Sequence, residues 1–424
     1  MVKKLLSATR KRLRNCFFRY KMLRYASKVP KIQAKIAGKE RIKVVFFVLF
    51  ESMWKSDRIF RMLLNDADFE PYIVSSPLPD YPEKLSRENQ DKLKLFFESK
   101  GFPFICGYDF DTKQWFDIQS FDPDVVLYQQ PYNTGYKGFL IESLWDRCLF
   151  GYIPYCYCLE VAEHFHNNLL YNMAWRVFEP SRFEKEEGQA YLLANGRNHI
   201  VTGLPIVDSF ISPDSELQYP WAQKDKDIKR IIWAPHHSIG EKDTLSYSNF
   251  LEISDEMVAL CKEYEGRVQF AFKPHPVLKN KLYNHPDWGV DRTDAYYEAW
   301  ASMPNSILQD GNYEDLFLTS DAMIHDSSSF TAEYLLVDKP VMYLTKENHE
   351  EALSEFGKQC FHQHYLGTSI QDVRHFIDSI VLGGRDTLQE QRHEFFQQNL
   401  LPPNGLSATE NIYNEFRQLV SSKN

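Results

Sequence analysis

The sequence predicts an α/β protein made of two doubly wound, Rossmann-like halves facing a cleft, with a basic helical arm at its start. Three observations carry that expectation. Short apolar runs alternate with helix-spaced patterns along most of the chain, the rhythm of βα units that feed a largely parallel sheet. A polar interval over 211–228, with Pro213, Pro220 and charges of both signs, divides the series in two. The residues with the most distinctive chemistry stand just after apolar runs, and open α/β sheets bind ligands beyond the carboxyl ends of their strands.

In the first half, Lys43–Phe50 reads as a buried strand, Trp54–Asn65 as a helix, Tyr72–Ser75 as a strand and 82–100 as a polar helix. Phe102–Cys106, Val125–Gln129 and Ile153–Cys158 are further strand candidates, with helical patterns near 137–149 and 182–194. His199–Pro205 reads as a short strand running into a turn. In the second half the strand candidates are Ile231–Ala234, Val268–Phe272, Ile307–Gln309, Ala322–His325 and Val341–Leu344. Helices are expected over 248–264, 292–302, 313–319, 329–337, 371–382 and 407–421. The domain limits that follow are an arm over 1–40, an α/β domain over 41–211, a linker over 212–228, a second α/β domain over 229–400 and a terminal helix over 401–424.

With 424 residues, 43% of them hydrophobic and 15% aromatic, the chain is long and apolar enough for two cored domains. Its longest strongly apolar run, Val44–Phe50, falls far short of the roughly 20 residues of a membrane span. No apolar stretch followed by a small-residue cleavage site opens the chain, so no secretory signal is expected. The seven cysteines are scattered and read as reduced thiols of a cytoplasmic protein. The net charge of −9 hides an asymmetry. Residues 1–43 hold 15 Lys/Arg against Glu40 alone, and the remainder is correspondingly acidic. Apolar Leu5, Leu6, Leu13, Phe17, Phe18, Tyr20 and Leu23 are interleaved with those cations. Such an arm suits an anionic membrane surface, at about 1 kcal/mol per cation near the lipid. An acidic body argues against nucleic acid as partner.

Three strand ends of the second half carry chemistry. Trp233-Ala-Pro-His236-His237-Ser238 follows one run, Lys273-Pro-His275-Pro another, and Asp326-Ser327-Ser328-Ser329 a third. On neighbouring parallel strands these residues would share one rim. Serines at a helix start satisfy orphan N–H groups, and the same helix end seats phosphate. Lys273 or a protonated His275 would add charge-assisted bonds. Glu333, four residues beyond Ser329, shares its helix face and is placed to accept from ribose hydroxyls. Asp310-Gly311 with Tyr313, Glu314 and Asp315 is a turn into a helix that would border the same site. Each histidine has a plainer alternative as a structural hydrogen-bonding residue. No Gly-x-Gly-x-x-Gly, Walker A or Gly-x-Ser-x-Gly pattern is present. His164-x-His166 with Glu160 and Glu163 lacks a convincing further ligand, so neither a metal nor another cofactor is expected.

The motif Ser320-Asp-x-x-Ile-x-Asp326-x-Ser-Ser, with Lys273-Pro-His275-Pro, Trp233-Ala-Pro and the turn Thr202-Gly-x-Pro205-x-x-Asp208, resembles the CDP-glycerol glycerophosphotransferases, the teichoic-acid polymerases and primases. The resemblance spans about 125–345 and is strongest over 230–345. It implies a GT-B fold, a peripheral membrane enzyme on the cytoplasmic face, a CDP-alditol donor and a hydroxyl acceptor on a lipid-linked glycan. By the same resemblance His275 would contact the donor phosphates and Ser327, Ser328 and Ser329 would cradle the diphosphate; Lys273, His236, His237 and Asp326 are donor-binding candidates from their strand-end positions. The second domain would hold the donor and the first the acceptor. The family's Trp-His-Gly motif is missing from the first half, which leaves His164, His166 or Glu160 as candidate bases and Glu333 in place of a usual Phe-Asp. The function so implied is transfer of glycerol phosphate, or another alditol phosphate, from a CDP-alditol to a surface-polysaccharide acceptor. The alternatives are a GT-B glycosyltransferase using a UDP- or CMP-linked sugar, a sugar epimerase of like architecture and a non-enzymatic glycan-binding protein.

Overall fold

The computed structural model describes residues 2–421 except 80, 133–134, 161–167, 214–216, 224–226, 241–246, 310, 312 and 347–348, with side chains from residue 14 onward. The chain forms two compact units, one of residues 1–156, 162–208 and 402–424, the other of 157–161 and 209–401.

The first unit is built on strands β1 (Ile42–Val48), β2 (Phe69–Ser75), β3 (Phe104–Ile105), β6 (Val125–Tyr128), β7 (Leu149–Tyr152), β8 (Arg176–Glu179) and β9 (His199–Val201), while β4 (Tyr108–Asp109) and β5 (Gln114–Trp115) form a separate hairpin. The sheet runs β3-β2-β1-β6-β7-β8-β9, and every pairing in it is parallel. Its middle strands are continuous apolar runs because helices cover both faces. Two expectations shift here. Ile153–Cys158 is not a strand; the strand lies just before it at Leu149–Tyr152, starting on the last residue of a stretch expected as helix. Gly151 allows this, since a Cβ there would come within 2.8 Å of Leu127 and 3.2 Å of the Arg176 carbonyl, and Pro154 then breaks the run. Arg176–Glu179 gives no sequence signal, being four residues long with charges at both ends.

The helix Val2–Ala37 precedes β1. Its later turns dock on the first unit through buried Tyr25, Ile32 and Ile36, with Tyr25 stacked on Phe150 at 4.7 Å. Lys35 and Lys39 reach Asp122 and Asp124 at 2.7 Å each. The helix Ala408–Ser421 belongs to the same unit and begins on the Thr202–Asp208 turn. Buried Asp208 accepts from the N–H groups of Ala408 and Thr409, both at 2.8 Å. Gly203 holds φ +87° in that turn, where a Cβ would stand 2.9 Å from Pro402.

The second unit has six strands, β10 (Lys229–Ala234), β11 (Val268–Phe272), β12 (Ser306–Leu308), β13 (Ala322–His325), β14 (Val341–Leu344) and β15 (Tyr365–Gly367). All pairings are parallel, in the order β12-β11-β10-β13-β14-β15. This is a doubly wound sheet whose strand order reverses between β10 and β13. Trp233 anchors one face, packed on Phe250, Phe272 and Trp300 with centroids 5.1 to 5.8 Å apart. The run expected as one helix over 371–382 divides into an α-helix at Ile370–His375 and a π-helix at Phe376–Leu382.

Candidate functional site

Because β10, β11 and β13 are adjacent and parallel, their carboxyl ends open on one edge, at the point where the strand order reverses. The loops after them carry His236 and His237, Lys273 and His275, and Asp326 to Ser329. The three imidazoles gather tightly. The His237 ring lies 4.2 Å from that of His236 and 4.3 Å from that of His275, and His236 and His275 are 5.3 Å apart. One ring nitrogen from each lies within 4.8 Å of the others, a spacing a divalent cation could bridge as well as an anion.

His275 is braced by its loop. Its N–H donates to the Pro235 carbonyl at 3.0 Å, and its Nδ1 accepts from the Val277 N–H at 3.2 Å. Burial, then His237, Lys281 and Lys273, hold its pKa down at about 3. The imidazole is therefore neutral at physiological pH, which corrects the expectation of a protonated His275.

Asp326 lies beneath the rim. Its Oδ1 accepts from the His236 N–H at 2.5 Å and its Oδ2 from the Asn249 N–H at 2.6 Å, so the carboxyl ties the β10 loop and the start of the following helix to β13. Burial pushes it up to about 7, against those two donors, which favour its charged form. The serine run does not cap as expected. Ser329 is itself in helical conformation and makes no side-chain cap bond, and the helix it opens is only Phe330–Glu333 before tightening into a 3₁₀ turn. Ser327 is buried, its N–H donating to His325 Nδ1 at 3.2 Å. Ser328 turns to Glu160, whose Oε1 accepts from its hydroxyl at 2.5 Å and from the Tyr247 hydroxyl at 3.2 Å. Glu160, expected to act from the N-terminal domain, thus packs within the second unit, where residue 160 also bridges Leu353.

Lys273 is nearly buried and donates from Nζ to the Gly311 carbonyl at 3.0 Å. Its ammonium stands 5.7 Å from the Tyr313 ring, and the Tyr313 hydroxyl donates to buried Glu333. Gly311 is thereby fastened to the rim, and Asp310 lies outside the described residues. His164 and His166 lie outside the described residues. Tyr247 and Asn249 were not legible as site residues, since a loop brings them in and no local pattern marks it.

The sequence profile of the CDP-glycerol:poly(glycerophosphate) glycerophosphotransferase family matches residues 177–415, more than half of the chain. The chain belongs to this family of transferases. The match takes in all three strand ends of the rim. The teichoic acid poly(ribitol-phosphate) polymerase of Bacillus spizizenii is 26% identical over 284 residues, 62% of this chain and 42% of that protein, so the chain spans well under half the length of this curated relative. The wall teichoic acid polymerase TagF has a similar structure, with a TM-score of 0.53 at 12% identity, covering 96% of this chain and 98% of that one. UDP-GlcNAc 2-epimerase from Neisseria meningitidis, solved with UDP-GlcNAc, gives 0.56 at 15% identity, covering 89% and 100%. These likenesses establish the GT-B-type α/β fold.

Proposed function

We propose that the protein transfers an alditol phosphate, glycerol phosphate foremost, from a CDP-alditol to a hydroxyl of a lipid-linked or surface-polysaccharide acceptor. The observation that carries this reading is the convergence of the β10, β11 and β13 loops at the switch point, which gathers three imidazoles where a diphosphate would sit. The second unit is the donor side and the first the acceptor side. The acceptor oxygen attacks the β-phosphorus, the bond from that phosphorus to the bridging oxygen breaks, and CMP departs with the electron pair. His236, His237 and His275 hold the phosphate oxygens, while Lys273 is fixed on the Gly311 carbonyl and lends its charge. Such transfer depends on positioning and electrostatics more than on a covalent nucleophile. The acceptor proton passes to a base in segment 160–166, with Glu160, His164 and His166 as candidates. Lipid-linked acceptors explain a basic arm, which holds the enzyme at the cytoplasmic leaflet.

The test is CMP release from CDP-glycerol in the presence of a lipid-linked glycan primer. The wild type is expected to turn over, and His275→Ala to lose about 100-fold. Turnover of a UDP-sugar with no reaction of any CDP-alditol would replace this reading with a glycosyltransferase.

A further inference from the structure

Two histidines of the rim make the same local turn. In each, the ring Nδ1 accepts from the backbone N–H two residues on, Ser238 for His236 at 3.3 Å and Val277 for His275 at 3.2 Å. A nitrogen that accepts an N–H carries no proton of its own, so a neutral ring keeps its proton on Nε2. Around His236 the hydroxyl of buried Ser238 completes the arrangement. Its Oγ accepts from the N–H groups of Tyr247 at 2.9 Å and Ser248 at 3.3 Å, which fills both lone pairs. The one proton left to that hydroxyl then points to His236 Nδ1, 2.8 Å away.

We propose that these turns lock His236 and His275 in the Nε2–H tautomer, so that the rim offers the donor diphosphate two neutral, pre-aimed N–H donors, with Ser238 as the positioning residue that acts through His236. This rests on the donor reading above and adds what it lacks, the form in which the imidazoles act. A metal site is the competing use of the same cluster. A cation bound at Nε2 needs its proton on Nδ1, where metal-bound histidines normally donate to an acceptor. Here that proton would face the N–H of Val277 or of Ser238. The geometry therefore selects an anion. Neutral rings at His236 and His275 also avoid charge repulsion between two imidazoles 5.3 Å apart.

The experiment has two independent readouts on the full-length protein. Ring ¹⁵N spectra of histidine-labelled protein at neutral pH, assigned by loss of each signal in His236→Gln and His275→Gln, report the tautomer whether or not a donor binds. Both histidines are expected to show an acceptor-type Nδ1 and a protonated Nε2, and Ser238→Ala to weaken that preference at His236 alone, because only the backbone N–H at 3.3 Å then remains on its Nδ1. Calorimetry with CDP-glycerol gives the second readout. Glutamine places an amide N–H near the position of Nε2, so His275→Gln is expected to lose only about threefold in affinity, against roughly 30-fold for His275→Ala. Protonation on Nδ1, an imidazolium at either ring, or equal losses in the glutamine and alanine variants would overturn the proposal. So would stoichiometric zinc binding that shifts the Nε2 signals of all three histidines. If the spectra are as expected but no CDP-alditol binds the wild type, the donor reading fails and the role proposed for the tautomers falls with it.

Discussion

His275, His325, His349 and His364 all sit where burial disfavours their charged forms. It holds His275 and His364 down at about 3 and His349 at about 4, and His325 lies well below its ordinary range. Unfolded histidines take up protons near pH 6.5, whereas these do so only at far lower pH. Between those limits the unfolded chain binds more protons, so the stability contributed by the neutral rings is lost as pH falls below about 6.5. Asp326 has the opposite sign. Raised to about 7, it takes up its proton in the folded state first and favours folding as pH falls from about 7 toward 4. Four imidazoles outweigh one carboxyl. Urea unfolding of the second unit is expected to cost about 2 kcal/mol less at pH 5 than at pH 7, with half-buried His349 discounted for screening. Greater stability at pH 5 would contradict the buried, neutral site. Of these, sequence reading singled out His275, because an apolar run ending in a polar residue is a local pattern, whereas His349 and His364 follow no such run. Their protonation state was not legible, because it depends on burial in the folded unit and, for His275, on His237 from another loop. Nor could Asp326 be distinguished as the carboxyl beneath the rim, since its two N–H donors lie 90 and 77 residues away.

Among the elements, the turn Thr202–Asp208 repays the closest reading. It forms part of the family resemblance, yet its geometry is structural. Asp208 caps the helix that opens at Ala408, two hundred residues later, and Gly203 leaves room for Pro402. Asp208→Ala would leave two buried N–H groups without their acceptor and is expected to lower stability by about 2 kcal/mol, measured by urea unfolding. Gly203→Ala faces both a left-handed backbone and the Pro402 contact, and should cost about as much. A stability loss under about 0.5 kcal/mol in both variants would detach the terminal helix from this turn. Most central strands were legible, and Val268–Phe272, Ala322–His325 and Val341–Leu344 fall where the apolar runs place them. The shortest strands were harder. Arg176–Glu179, four residues with a charge at each end, and Tyr365–Gly367, only three residues long, do not announce a strand and depend on a preformed neighbour for register. The placing of residue 160 in the second unit is a long-range threading that no local pattern encodes.

Charge acts over the whole molecule. The chain carries −9 overall, yet its first 43 residues are strongly basic. Lys35 and Lys39 pair with Asp122 and Asp124, and Lys21 with Glu142 at 3.6 Å, while Phe17, Tyr20 and Leu23 are exposed on the same helix, the face proposed above to meet lipid. Sedimentation with vesicles containing anionic phosphatidylglycerol should capture the protein at low salt and release it as salt rises. Capture should weaken in an Arg14→Glu, Arg19→Glu variant, which reverses two exposed cations, and equal binding to neutral vesicles would remove the electrostatic account. The central claim, that the rim of the second unit receives the diphosphate of a CDP-alditol, is tested most directly by calorimetric titration of the full-length protein. CDP-glycerol, CDP-ribitol, CMP and UDP-GlcNAc would each be titrated into wild type and His275→Ala. The account predicts selective binding of a CDP-alditol in the wild type, weakened at least tenfold in the variant. Binding of UDP-GlcNAc in preference to every cytidine nucleotide, or CDP-alditol binding untouched by His275→Ala, would contradict it.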